Sequence, residues 1–317
     1  MRIHSQSMNK QRIVFTLLFL LYISTSCEND IIDIVFPDEE KNSFSCNLFT
    51  TEFITHQSAA SYGDYCVFIT NRRSSLYLYN LKTKSLLCEE TLRPAKGLDY
   101  WGYDLYHCNQ ATFGEDFYSE QDVFPLLYVS QRANEDRRCF IEVFRIQPSK
   151  EGKDVDYSSL SATLVQTIYL PKMNSDNCLG NVNCVIEKGS QKMYTYSRNN
   201  NNDEANYGYC KISCFDIPDV DIREVVLNDS DIKDSFMLDC SAVNMQGGCI
   251  NKGYLYIGQG YQNAGYIFLN VINLKEKKID NRIDLLAMGI QWEPEGCFIY
   301  NDTVMLSTAS GIIGFKF

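Results

Sequence analysis

The chain has 317 residues, with 40 acidic against 29 basic side chains and a formal charge of −11. An acidic body argues against nucleic acid as a partner, because such binding depends on Lys and Arg neutralising phosphates. Aromatic residues make up 13% of the chain, 21 of them tyrosines, which suits sheets better than helices, and the length allows one large all-β domain.

The first segment is a leader. Lys10 and Arg12 precede an apolar run over residues 13–23, which gives way to Ser24, Thr25, Ser26 and Cys27. About 11 apolar-dominated residues are too few for a comfortable membrane span, so residues 1–26 read as a signal peptide. The small-residue run ending in cysteine resembles the lipobox of bacterial lipoproteins. That resemblance implies that Cys27 is lipidated and becomes the first mature residue; a plain secretory signal with a chance cysteine is the alternative. Glu28, Asp30, Asp33, Asp38, Glu39 and Glu40 then make residues 27–42 an acidic tether. Acidic residues after the lipid cysteine resemble the surface-display signal of Bacteroides-type lipoproteins. The implied location is the outer membrane surface, with the membrane contacted through the lipid only. Loss of Arg2, Lys10 and Arg12 with the leader shifts the formal charge from −11 to −14.

Residues 43–317 read as a single β-propeller. Five times a polar or glycine-bearing segment leads into an apolar strand, a tight turn and a second β-rich strand: residues 56–70, 107–130, 181–197, 246–258 and 293–307. The turns carry Gly63 with Asp64, Gly189 with Ser190, Lys252 with Gly253, and Asn301 with Asp302, types that accept hairpin backbone angles. The second copy has a longer acidic turn at 115–122. Blades are expected at about residues 56–99, 104–172, 178–232, 239–287 and 291–317, with polar surplus at 151–161 and 198–206 in loops. The last block holds three candidate strands, and residues 44–54 supply the fourth, closing the ring from both termini. Six blades are the alternative, if the long second copy hides two sheets.

Cys184, Cys249 and Cys297 recur at the middle of the first strand, where small residues such as Ala59, Ala60 and Thr112 stand in the other copies. There cysteine reads as a small hydrophobe packed near a crowded axis. Cys210 and Cys214, four apart, share a strand face but are too distant to bridge each other. No C-x-x-C occurs, so neither metal nor cofactor is called for.

The segment Met245, Gln246, Gly247, Gly248, Cys249, followed by residues 254–260 and 271–274 and by Glu293, Pro294, Glu295 and Gly296, resembles the propeller shared by teichoic-acid biosynthesis protein C and certain phage receptor-binding proteins. His107, Asn109, Phe113, Gly114 and residues 124–130 are similar to its second blade. The resemblance spans most of residues 56–317 through short motifs. It implies a five-bladed propeller associated with cell-envelope polysaccharide and transfers no catalytic residue.

A hairpin returns the chain antiparallel, so first-strand starts and second-strand ends ring one mouth of the channel. The starts contribute His56, Gln57, His107, Asn109, Asn181, Asn183, Gln246, Glu293 and Glu295; the ends contribute Asn71, Arg72, Arg73, Gln131, Arg132, Arg198, Gln259 and Tyr261. Arg72, Arg132 and Arg198 fall at matching places in three successive blades, and guanidinium pairs bidentately with carboxylate or phosphate. They read as receptors for an anionic group, or else as solvated loop residues paired with local acids. His56 and His107 can act as bases or merely hydrogen-bond a neighbouring blade. Glu293 and Glu295 flank Pro294 on one side of an extended segment, and they read as accepting bonds from the next blade's backbone rather than as a glycosidase pair. Trp101, Trp292 and Tyr261 offer stacking surfaces. Three functions are open: a monomeric propeller binding a glycan, anionic by its arginines; a polysaccharide lyase in which arginine neutralises a uronate and a histidine removes the adjacent proton; and a protein-interaction scaffold. The first is favoured, because neither a nucleophile nor a separated acid pair is evident.

Overall fold

The computed structural model describes residues 56–70, 75–92, 108, 110–150, 155–173, 182–198, 208–240, 244–261, 265–308 and 311–317, together with two strand backbones nearer the N-terminus. Those two are β1 (Ile32–Val35) and β2 (Ser45–Phe49). Blade one is β3 (Ser58–Tyr62), β4 (Tyr65–Ile69), β5 (Ser75–Asn80) and β6 (Ser85–Thr91). Blade two is β7 (Gln110–Phe113), β8 (Leu127–Gln131), β9 (Arg138–Lys150) and β10 (Asp156–Lys172). Blade three is β11 (Val182–Glu187), β12 (Lys192–Arg198) and β13 (Tyr209–Asp216), completed by β15 (Asp234–Asp239) after the short β14 (Glu224–Val226). Blade four is β16 (Met245–Asn251), β17 (Tyr254–Gly260), β18 (Ile267–Asn273) and β19 (Lys278–Asp284). Blade five is β20 (Pro294–Tyr300), β21 (Thr303–Thr308) and β22 (Gly311–Phe315), with β2 and then β1 on its outer edge. The protein is a five-bladed β-propeller.

Both faces of each blade are buried, so the inner strands are nearly continuous apolar runs. In β4, Cys66 and Phe68 enter the core shared with blade five, whereas Val67 and Ile69 enter the core shared with blade two. Five such cores succeed one another. Phe113 and Phe144 lie between blades one and two, Ile141 and Met193 between two and three, Ile212 and Ile257 between three and four, Leu269 and Leu306 between four and five, and Phe298 and Phe68 between five and one. The series closes on itself. A side chain such as Phe68, with no exposure, contributes about 1.5–3 kcal/mol by burial.

The hairpin turns follow the expected chemistry. Lys252 and Gly253 have φ of 51° and 80°, and Asn301 and Asp302 have 48° and 59°, the left-handed pair that a two-residue turn between twisted strands requires. Closure from the N-terminus also holds: β2 pairs antiparallel with β22, from Cys46 opposite Phe315 to Phe49 opposite Ile312.

Four expectations differ. Six blades are not formed, because β7 to β10 lie in one sheet. Residues 156–161, read as loop, belong to β10, whose long hairpin with β9 reaches blade one; there Leu160 is buried and Tyr157 stacks on Tyr65 at 4.6 Å. β14, expected in blade three, joins the edge of blade two in parallel with β10, and Gln166 holds it by donating to the carbonyls of Asp219 and Ile222. Within the tether at 27–42, β1 pairs with β2.

Among the described residues, a side chain of blade two reaches across the axis. Gln110, fully buried on β7, donates from Nε2 to the Gly248 carbonyl at 2.7 Å and accepts from the Gly248 N–H at 3.0 Å. Blades two and four are thereby joined across the channel. Beyond that bridge, towards the other mouth, a narrow cavity is lined by Ala60, Thr112, Ile186, Cys249 and Phe298.

Candidate functional site

The mouth at the first-strand starts is built by two irregularities. In blade four, Met245 pairs with Gln259 but Gly248 pairs with Ile257, so one extra residue is accommodated on β16. In blade five, Pro294 pairs with Thr308 and Gly296 with Ser307, leaving Glu295 as the extra residue of β20. Bulges of this kind bend a strand and re-aim its side chains. The two strands also approach backbone to backbone. A Cβ on Gly247 would lie 2.5 Å from the Cα of Gly296 and 2.6 Å from the Glu295 carbonyl oxygen, a separation only glycine permits.

That approach assembles a polar chain from three blades. Gln57 Nε2, preceding β3, donates to Glu295 Oε1 at 3.1 Å. Gln246 Nε2 donates to Glu293 Oε1, and Glu293 and Glu295 are close enough for each to perturb the other's titration. Blade three contributes from the other side: the Gln246 carbonyl accepts from Asn183 Nδ2 at 3.1 Å and from Tyr196 Oη at 2.7 Å. Burial raises the Glu293 carboxyl to about 7. Burial, and then the neighbouring Glu293 charge, raise Glu295 to about 9. Both shifts favour the protonated forms, so near neutral pH the pair retains at least one proton. The second carboxyl oxygen of Glu295 is buried with no hydrogen-bond partner among the described residues.

The other expected site residues divide. Gln57, Gln246, Glu293 and Glu295 are brought together, but the carboxyls accept from side-chain amides of both flanking blades, not from a neighbour's backbone. His56 is 2% exposed, packs edge-on against Phe68 at 5.0 Å, and is lowered by burial to about 4. It is a neutral imidazole inside the wall, shielded from any ligand at the mouth. Gln259 and Gln131, both expected at the mouth, are drawn into their own blades: Gln259 accepts from Asn270 at 2.9 Å, and buried Gln131 donates to Glu142 at 2.8 Å. Arg132 follows β8 and is half-buried. Arg198 ends β12, paired with Cys210, but its side chain is outside the described residues. Cys27, Asn71, Arg72, Arg73, Trp101, His107, Asn109 and Asn181 also lie outside them. Trp292 and Tyr261 are exposed by 42% and 55% beside the mouth-forming strands. Sequence reasoning missed the raised carboxyl pair and the role of Gly247, whose signal was the glycine pair before Cys249. Among the described residues no group of three or more potential metal ligands gathers.

No protein-family model and no curated protein matches the sequence. Similar solved structures include an aldose sugar dehydrogenase from Streptomyces coelicolor in its PQQ-bound form, 9% identical, with a TM-score of 0.47, covering 87% of this chain and 99% of that one. A glutaminyl cyclase from Myxococcus xanthus is 9% identical with a TM-score of 0.44, covering 86% and 95%. BamB from Moraxella catarrhalis is 9% identical with a TM-score of 0.32, covering 92% and 87%. At these scores the blade count rests on the sheets themselves.

Proposed function

We propose that this chain is a lipid-anchored lipoprotein of the outer membrane surface whose propeller binds an extracellular glycan at the mouth formed by the first-strand starts. The observation that carries the reading is the convergence of Gln57, Glu295, Glu293 and Gln246 from three blades onto one rim. Amides and a half-protonated carboxyl pair offer both donors and acceptors, the complement of sugar hydroxyls. Exposed Trp292 and Tyr261 add apolar faces for a sugar ring. A negative group is disfavoured directly over the carboxyl pair, so any acidic group of the glycan would call on the arginines that the sequence singles out, Arg72, Arg132 and Arg198.

The test is a glycan screen with the purified chain and the Glu293→Gln/Glu295→Gln variant. Binding of hydroxyl-rich glycans that weakens at least tenfold in the variant supports the site; equal binding by both proteins overturns it. Acidic glycans that bind more tightly than neutral ones, with loss at high salt, support a role for the arginines. Anchoring is checked by Cys27→Ala, which is expected to move the protein from the membrane to the soluble fraction; unchanged fractionation refutes the lipid anchor.

A further inference from the structure

Cys249 on β16 and Cys297 on β20 occupy matching places on the innermost strands of neighbouring blades, and their sulfurs lie 3.1 Å apart in the buried wall of the channel. A disulfide needs roughly 2.0 Å between sulfurs with Cβ atoms close together. The two sulfurs are already in contact across the seam between the innermost strands of neighbouring blades. We infer that Cys249 and Cys297 form a disulfide that staples blade four to blade five at the axis, an inference that rests on export of the chain to an oxidising compartment.

The position gives the staple a consequence for the mouth. Cys249 is three residues past Gln246, and Cys297 is two past Glu295, on the same two strands whose upstream ends form the candidate site. A covalent link there fixes the spacing of β16 and β20 on which the contact between Gln246 and Glu293 depends. Bond formation is an exchange. The thiolate of one cysteine attacks the disulfide of a protein or glutathione donor and expels a donor thiolate; the second cysteine attacks the mixed disulfide and expels the other donor sulfur. The two cysteines lose two protons and two electrons, and the donor leaves as two thiols. Burial raises the Cys249 thiol well above its ordinary range, so exchange belongs to the folding chain, before the two blades dock.

The purified full-length chain is refolded in a glutathione redox buffer, blocked with N-ethylmaleimide under denaturing conditions and peptide-mapped. The expected result is one linked peptide joining Cys249 to Cys297, lighter by about 2 Da than the two thiol peptides, with Cys66 and Cys184 alkylated. The linked peptide is absent from Cys297→Ala, a small apolar replacement chosen to keep the wall packed. Labelling of both Cys249 and Cys297 in refolded wild type with a native circular dichroism spectrum overturns the inference. The same mapping on the exported fraction is expected to find the link, and free thiols there overturn it. A chain confined to the cytosol refutes export instead, and the refolding arm then decides the pair by itself.

Discussion

Replacing Glu295 by Gln tests whether the carboxyl pair retains a proton. With native carboxyls raised to about 7 and about 9, the folded pair holds at least one proton that the unfolded chain has released above its ordinary glutamate value. Between those limits the native state binds more protons than the unfolded state, so stability falls as pH rises. The contribution is fully present below the unfolded value of about 4.3 and is lost as pH climbs through the native values. One proton corresponds to a slope of about 1.4 kcal/mol per pH unit. Solvent at the mouth reduces this, and about 0.7–1.4 kcal/mol per pH unit is the expected difference between wild type and Glu295→Gln. The amide keeps the shape, can still accept from Gln57 and can donate to Glu293, so the variant is expected to be the more stable protein at pH 8 and the flatter one from pH 5 to 8. Urea denaturation of both proteins across that range measures it. Parallel stability curves would refute the retained proton.

Two further outcomes concern the frame that holds this site. Gly247→Ala sets a Cβ against the Gly296 and Glu295 backbone, where no flexible side chain can yield; a loss of about 3 kcal/mol is expected, and an unchanged melting temperature would show that the strands can separate freely. Deleting residues 44–54 removes β2 and exposes the edge of β22, with aggregation expected by light scattering. Deleting residues 28–40 removes only β1, outside β2, and is expected to be far milder; equal effects of the two deletions would refute terminal closure.

The propeller was legible because its information is local. Lys252–Gly253 and Asn301–Asp302 announce hairpins by backbone preference alone, and the fifth block's strand deficit points to a donor at the other terminus. The site was legible only by position. Alternation places Gln246, Glu293 and Glu295 at strand starts, but a bulge such as that at Glu295 shifts one residue against its partner without a signature in the sequence. The contact of Gln57 with Glu295 joins positions 238 residues apart, and only ring closure brings them together. β14 escaped notice because three residues, Glu224 to Val226, carry no usable period, and their partner β10 is chosen by Gln166 reaching across from another hairpin. Burial of His56 was equally hidden: one polar residue before a strand reads the same whether it faces the opening or the wall.

The amide of Gln110 has a consequence for any polymeric ligand. It ties blade two to blade four through both its donor and its acceptor, which opposes threading of a ligand from one face to the other. A long chain must lie across the rim, so internal stretches should be engaged as readily as termini, and shortening a ligand should cost affinity only once it no longer spans the contacts.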